Sequence, residues 1–393
     1  MKRAAKGALV ILGMMGRTPF AGVAWQVLHY LEGFRRLGFD VYYVEDTGDW
    51  PYDAEQNAVS EDPGYTVRYI ARLLDWVTMP DRWAYVAASQ DNQVYGLPAP
   101  ELARLYRRAV ALVNLTGATV LRQEHLQVPI RIYLETDPVL PQIEVAQSRP
   151  FTTLMLDAHT HHFSYGENFG APDCRVPIVR YRYFPTRQPI VLDWWEPATG
   201  KGPGPRVPFT TIGSWEQSGK DIEWQGETYH WSKHHEFLKL IDLPRRTDQR
   251  FELALACDDA EVLGMLRSNG WAVRDALALS KDILPYRDFI LGSRGEFTVA
   301  KDQNIRLRSG WFSDRSACYL AAGLPVITQD TAFGNVLPTG RGLFAFRGMD
   351  QVLDALEQIN ADYEGHAAAA RAVAREFFAA ERVLAALVKD AGL

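Results

Sequence analysis

Cysteine is scarce: three in 393 residues, an odd number. Cys174, Cys257 and Cys318 are widely spaced, and no two have the spacing of a metal knuckle. That excludes a disulfide framework and reads as a reduced, cytoplasmic chain. Long apolar runs are missing too. No window approaches the ~18 apolar residues of a membrane span. Positive charge is in deficit, with 42 Lys and Arg against 48 Asp and Glu and a formal charge of −6. Wholesale nucleic-acid binding needs a dominant positive field and is disfavoured; a local basic patch stays open. There is no short internal repeat. The start Met1-Lys2-Arg3, with the apolar run to Leu12, imitates a secretion signal. The run is short and breaks at Gly13 and Gly16, so it reads as a buried strand.

What is present is ordinary globular material, 47% apolar and 23% charged. The length suits two or three domains with a large core. Ala8–Leu12 reads as a strand and Thr18-Pro19 as the cap and first position of a helix. Val23, Val27, Tyr30, Leu31, Phe34 and Leu37 recur at helical spacing up to Gly38, and Asp40–Val44 is the next strand. This is a β-α-β unit, which implies a parallel sheet. Val67–Trp76 reads as helix, and Ala109–Leu115, Ile130–Leu134 and Thr152–Leu156 read as strands. Eight of the 22 prolines fall between Pro172 and Pro208, and Gly200–Pro205 is nearly all Gly and Pro. That texture marks a linker. A second series follows, with strands Phe209–Ile212, Phe251–Ala256, Leu324–Thr328 and Gly342–Phe346. Helices are expected at Lys233–Leu240, at Ser313–Ala322 and from an Asp350 cap to Asn360, before a helical tail. The expected class is α/β, two doubly wound Rossmann-like domains facing across a cleft. The domains are 1–185 and 209–375, the linker is 186–208, and a C-terminal helix, 376–393, can cross back to the first domain.

The segment Arg306–Ser316 has the physics of an anion site. Gly310 lets backbone approach a ligand, and Ser313 can cap a helix whose free N–H groups face the loop. Arg315 and Ser316 add donors in the first turn. Gly323 ends the helix and Pro325 follows. An ordinary, well-capped loop-helix-strand connection has the same features.

Ser309-Gly310-Trp311-Phe312-Ser313, followed by Gly323-Leu324-Pro325-Val326, resembles the nucleotide-sugar signature of two-domain glycosyltransferases with the B-type fold. The first helix and strand, the linker and the helical tail agree with that family over the whole chain. Ser164-Tyr165-Gly166-Glu167-Asn168 and Ser293–Lys301 are similar to a bacterial subgroup of it. The resemblance implies a nucleotide-diphosphate sugar as co-substrate, no tightly bound cofactor and no bound metal. It implies a second domain that holds the donor and a first domain that holds an acceptor the sequence does not name. The chain departs from the family pattern in places. The two glutamates of many retaining members fall here on Cys318 and Gly310. The histidine of plant-type inverting members falls on Arg308, and the first strand-helix loop holds Arg17 and no histidine. Neither inversion nor retention can be read by analogy.

Ligands of open parallel sheets sit beyond the carboxyl ends of the strands. That rule selects Glu45, Asp46, Glu135, Asp137, Asp157 and His159. An inverting transfer needs a group to take the acceptor proton. Asp137, between Thr136 and Pro138, is the first choice, with His159 and Glu167 in reserve. Gly16, Arg17, Glu45 and Asp46 are assigned to the acceptor side. Gly213, Ser214, Arg294, Lys301, Ser309, Gly310, Ser313, Arg315, Ser316 and Asp330 are assigned to donor binding. His159, His161 and His162 cluster, as do His230, His234 and His235, but local spacing supplies no third ligand to either pair, and both read as structural or substrate-contacting. Two other readings stay open: an epimerase of the same fold, with acid/base carboxylates beside the sugar, and a silent sugar-nucleotide or glycan-binding protein.

Overall fold

A computed structural model of the chain describes residues 6–197 and 203–393. Met1-Lys2-Arg3 and the Gly200–Gly202 part of the linker lie outside the described residues. β1 (Ala8–Leu12) is buried along its whole length, as a strand covered on both faces must be. It pairs in parallel with β2 (Asp40–Glu45) on one side. A small hairpin, β3 (Tyr52–Asp53) and β4 (Ala58–Val59), leaves the sheet after β2. The sheet continues through β5 (Trp83–Ala87) and an antiparallel edge strand, β6 (Gln93–Gly96). On the other side of β1 stand β7 (Ala109–Leu115), β8 (Ile130–Glu135), β9 (His161–Ser164) and β10 (Tyr183–Pro185). The strand order is therefore β10-β9-β8-β7-β1-β2-β5-β6.

The second sheet is parallel throughout, in the order β15-β14-β11-β16-β17-β18. β11 (Phe209–Ser214) is central, and after it a hairpin of β12 (Ile222–Trp224) and β13 (Glu227–Tyr229) stands apart. β14 (Phe251–Ala256) and β15 (Ala272–Asp275) lie on one side of β11. β16 (Gly295–Thr298), β17 (Val326–Gln329) and β18 (Leu343–Phe346) lie on the other. The fold is thus two Rossmann-like domains facing across a cleft.

Four expectations shift. Thr152–Leu156 lies within a helix, Pro150–Asp157, of which only Leu156 is buried. Pro150 suits a helix start, and Phe151 and Leu154 face solvent, so the apolar run never enters the sheet. The strand at that point is the histidine-bearing β9. The first helix runs Ala21–Arg36 with Phe20 at its cap. Thr18 is occupied in the preceding turn, where its amide donates to the Met14 carbonyl. The helix Met349–Ala361 takes Gly348 as cap, leaving Asp350 in a first turn that favours acid. The helix expected at Lys233–Leu240 is shorter, His234–Leu238.

The chain crosses between the domains twice, side by side. The Ile190 amide donates to the Phe378 carbonyl at 2.7 Å, and the Ala380 amide to the Ile190 carbonyl at 2.9 Å. The last helix, Ala380–Asp390, then packs on the first helix of the first domain. Gly33 allows that contact: a Cβ there would lie 2.4 Å from Leu384. Other bonds hold the domains together, including the Trp25 indole on the Ile283 carbonyl at 3.0 Å and the Trp311 indole on the Thr136 carbonyl at 2.9 Å.

Candidate functional site

The cleft between the sheets encloses about 740 Å³, and a deeper branch of about 230 Å³ runs into the second domain. Both lie at the carboxyl ends of strands, where parallel α/β sheets present their ligand sites. β8 ends at Glu135 and delivers Thr136 and Asp137 to the cleft. β11 ends at Gly213-Ser214, two small residues that form part of the wall of the branch. The loop after β16 delivers Lys301, and the helix Asp314–Ala321 starts at the same place, with Ser313 in the cap position.

Three cations define the branch. Arg315 is folded back into its own domain: Nε donates to Glu296 at 2.6 Å, Nη1 to the Ile212 carbonyl at 2.7 Å and Nη2 to Thr298 at 2.9 Å. Lys301 is buried, 2.5 Å from Asp137 of the first domain, with its ammonium 3.2 Å above the centroid of Trp231. Lys233 is half-buried over Trp311 and has no carboxylate partner among the described residues. Burial, then repulsion from Arg315 and Lys301, lowers its pKa to about 7.

Three carboxylates line the wider cleft, and Asp137 among them lines the branch as well. Glu135 is fully engaged: the Gln142 amide donates to both its oxygens, at 2.8 and 3.0 Å, and the Ser164 hydroxyl donates at 2.5 Å. Burial, the dominant effect, pushes it up to about 8. Asp314 accepts one bond, from Gln26 of the first domain at 3.1 Å, and burial with repulsion from Asp137 raises it to about 7. Asp137 goes the other way. Partial loss of water in the cleft would raise it, but Lys301, Lys220 and Lys233 together hold it below the usual carboxylate range.

Of the remaining donor candidates, Gly213, Ser214 and Ser313 line the cleft and the others stand behind it. Ser309 is buried, donating to Asn304 at 2.7 Å. Gly310 has φ +82°, and a Cβ there would lie 2.5 Å from the Asn168 amide nitrogen. It serves the approach of the loop to the first domain. The Ser316 hydroxyl is buried without a partner among the described residues. Arg294 turns away to Asn360, the Pro203 carbonyl and the Tyr363 ring. Asp330 bridges Arg308 and Arg347.

On the first-domain side Arg17 reaches the cleft, paired with Asp49 at 3.0 Å. Glu45 lies beneath it as a loop anchor, accepting from the Gly16 and Arg17 amides at 2.7 and 2.6 Å and from Tyr43 at 2.6 Å. Asp46 pairs with Arg122. His159 is held between Asn114 and the Met155 carbonyl, and Glu167 pairs with Arg187 at 2.5 Å. Neither lines the cleft. Asp157 is tied to Arg180. The rings of His230 and His234 both lie tilted against His235, with centroids 4.3 and 3.9 Å away, and among the described residues these three do not converge as a metal-ligand set. Among the described residues, three metal-ligating side chains meet at Asp46, Glu124 and His125, and there Arg122 bonds both carboxylates.

Lys233, Asp314 and Trp231 were not selected from sequence. Asp314 and Trp311 stood inside the motif that was. Lys233 had no signal of its own: an excursion of 18 residues after β11 brings it back to that strand's end.

No family model and no curated protein sequence matches the chain. Solved structures do match in fold. An alpha-glucosyltransferase in complex with UDP and a mismatch-containing 13-mer DNA aligns over 98% of this chain and 99% of its own, with TM-score 0.60 at 8% identity. Anabaena HepE, solved with UDP and glucose, covers 98% and 100%, with TM-score 0.55 at 10% identity. AviGT4, a glycosyltransferase of avilamycin A biosynthesis, covers 98% and 97%, with TM-score 0.53 at 11% identity. The chain therefore has, over its full length, the B-type fold of these glycosyltransferases. No helix among the described residues is long and apolar enough to cross a membrane.

Proposed function

We propose that the protein is a glycosyltransferase that moves a hexosyl group from a nucleotide-diphosphate sugar to a hydroxyl-bearing acceptor. The observation that carries this reading is the deep branch, where Lys233, Lys301 and Arg315 converge beside Gly213-Ser214 and the start of the helix Asp314–Ala321. Several of the solved structures that share the fold, among them the alpha-glucosyltransferase and HepE, contain UDP or UDP-glucose, which supports the donor class.

In this reading the diphosphate lies in the branch, with its nucleoside towards Ala256, Ala276 and Leu277. The anomeric carbon then faces the wider cleft. As its bond to the diphosphate breaks, negative charge grows on the leaving oxygen, where fixed cations stabilise it most. Lys233 and Lys301 do this directly. Arg315, bonded three times within its own domain, fixes Glu296 and the end of β11. The acceptor binds against the first-domain wall of Phe20, Val23, Trp25 and Tyr133. Asp137 is the base if the reaction inverts. We place the protein in the cytoplasm, where its three free thiols stay reduced.

A second reading, a nucleotide-sugar epimerase, is favoured by one observation: Glu135 and Asp314 are raised into the range useful for acid-base exchange at neutral pH. One experiment separates the two. The purified protein is incubated with UDP-, GDP- and dTDP-sugars without acceptor. Slow release of free nucleoside diphosphate identifies the transferase, an isomerised sugar identifies the epimerase, and binding without either identifies a silent receptor.

A further inference from the structure

We infer that the Lys301–Asp137 ion pair is a latch opened by the donor: the incoming diphosphate takes Lys301 from Asp137 and so releases the carboxylate that accepts the acceptor's proton. The inference rests on the sugar-transfer reading and adds to it an order of events.

The pair spans the cleft. Asp137 follows β8 of the first domain, Lys301 follows β16 of the second, and both line the deep branch. Each has a different freedom. Lys301 is 9% exposed at its side chain and pinned over the Trp231 ring, so it stays where it is. The Asp137 side chain is 45% exposed and, among the described residues, has only Lys301 as a bonded partner, so it can turn towards the wider cleft. The neighbouring cations cannot substitute for Lys301. Arg315 has three of its five N–H groups bound within its own domain and its charge matched by Glu296, and Lys233 by itself offers one ammonium to a ligand carrying two or more negative charges. A diphosphate in the branch therefore competes with Asp137 for the same ammonium and repels the carboxylate that loses.

The chemistry supplies a reason for such a device. Paired with Lys301 and facing Lys220 and Lys233, Asp137 is held too acidic to take a proton well. Freed from Lys301 it regains basicity, and only when donor is present. The acceptor O–H bond then breaks, its proton passing to the Asp137 carboxylate. The acceptor oxygen bonds to the anomeric carbon. The bond from that carbon to the diphosphate breaks, with its electron pair leaving on the diphosphate. The proton passes from Asp137 to solvent as the nucleotide departs and Lys301 is recaptured.

The test is a double-mutant cycle read by calorimetry with UDP, GDP and dTDP as probes. Asp137→Asn keeps the shape and removes the competing charge. It should bind the preferred nucleoside diphosphate about tenfold more tightly than wild type, the scale of one charge-assisted hydrogen bond, while transfer is lost. Lys301→Met should bind about tenfold more weakly. In the Lys301→Met background the gain from Asp137→Asn should vanish, and Asp137→Ala should repeat the pattern if the amide makes contacts of its own. Unchanged or weaker binding by both Asp137 variants, with wild type binding normally and melting curves superposed, overturns the latch and leaves sugar transfer standing. A wild-type protein that binds none of the three probes overturns the sugar-transfer reading, and the latch with it.

Discussion

Lys233 is an ammonium over an indole ring, without a carboxylate partner among the described residues. In the unfolded chain it keeps its proton to about pH 10.4, whereas in the fold it loses it near 7. Between those values the unfolded state binds more protons, so stability should rise with pH from about 7 to 10. Urea melts at pH 7 and pH 9 will show the rise, and Lys233→Met should abolish it. Anion binding runs in the opposite direction. Nucleoside-diphosphate affinity should fall above about pH 7 in wild type as the ammonium deprotonates. In Lys233→Met it should start about tenfold lower and stay flat, which calorimetry across the pH range will resolve. Arg315 invites the same experiment but answers a different question. Its partner Glu296 is fully buried, and one Glu296 oxygen already lacks a hydrogen-bond partner. Arg315→Ala strands that charge and should cost about 3–5 kcal/mol of stability by denaturant titration. A variant as stable as wild type would mean that the pair is not what holds this part of the fold.

The turn before the helix Asp314–Ala321 was legible in sequence because Gly310, the cap position and the closing Gly323-Leu324-Pro325 each follow local rules. What local rules do not give is the direction a loop faces. Gly310 was read as a glycine for a ligand, and it is a glycine for the other domain's backbone. Gly310→Ala should therefore lower the melting temperature by several degrees, from the strained φ and the clash with Asn168. Thr152–Leu156 was misread for a related reason. Apolar spacing shows that a segment has a face, and nothing in five residues says whether a sheet or solvent receives it. Glu45 shows the third limit: a carboxylate at a strand end is a ligand candidate by rule, but two amides and a tyrosine had already taken it. The pairing of Lys301 with Asp137 joins positions 164 residues apart, which no local pattern encodes.

At the scale of the molecule the two-domain plan was legible, because alternation of strand and helix is repeated on either side of a proline-rich stretch. The charge arrangement gives a prediction at this scale. In the proposed function Lys233 and Lys301 supply the neutralisation that a divalent ion gives elsewhere, so donor turnover should survive dialysis against a strong chelator; a loss restored by added magnesium or manganese would contradict this. The double crossing of the chain has a further consequence. Ile190 and Ala379–Ala380 lie side by side, and the last helix is seated on the first domain rather than the second. Two bodies joined by one strand of rope can tumble in any direction. Joined at two adjacent points, they can only swing, about the line through those points, like a door on its pintles. Any such swing must part contacts that span the two domains, among them Lys301–Asp137 and the Trp311 indole on the Thr136 carbonyl.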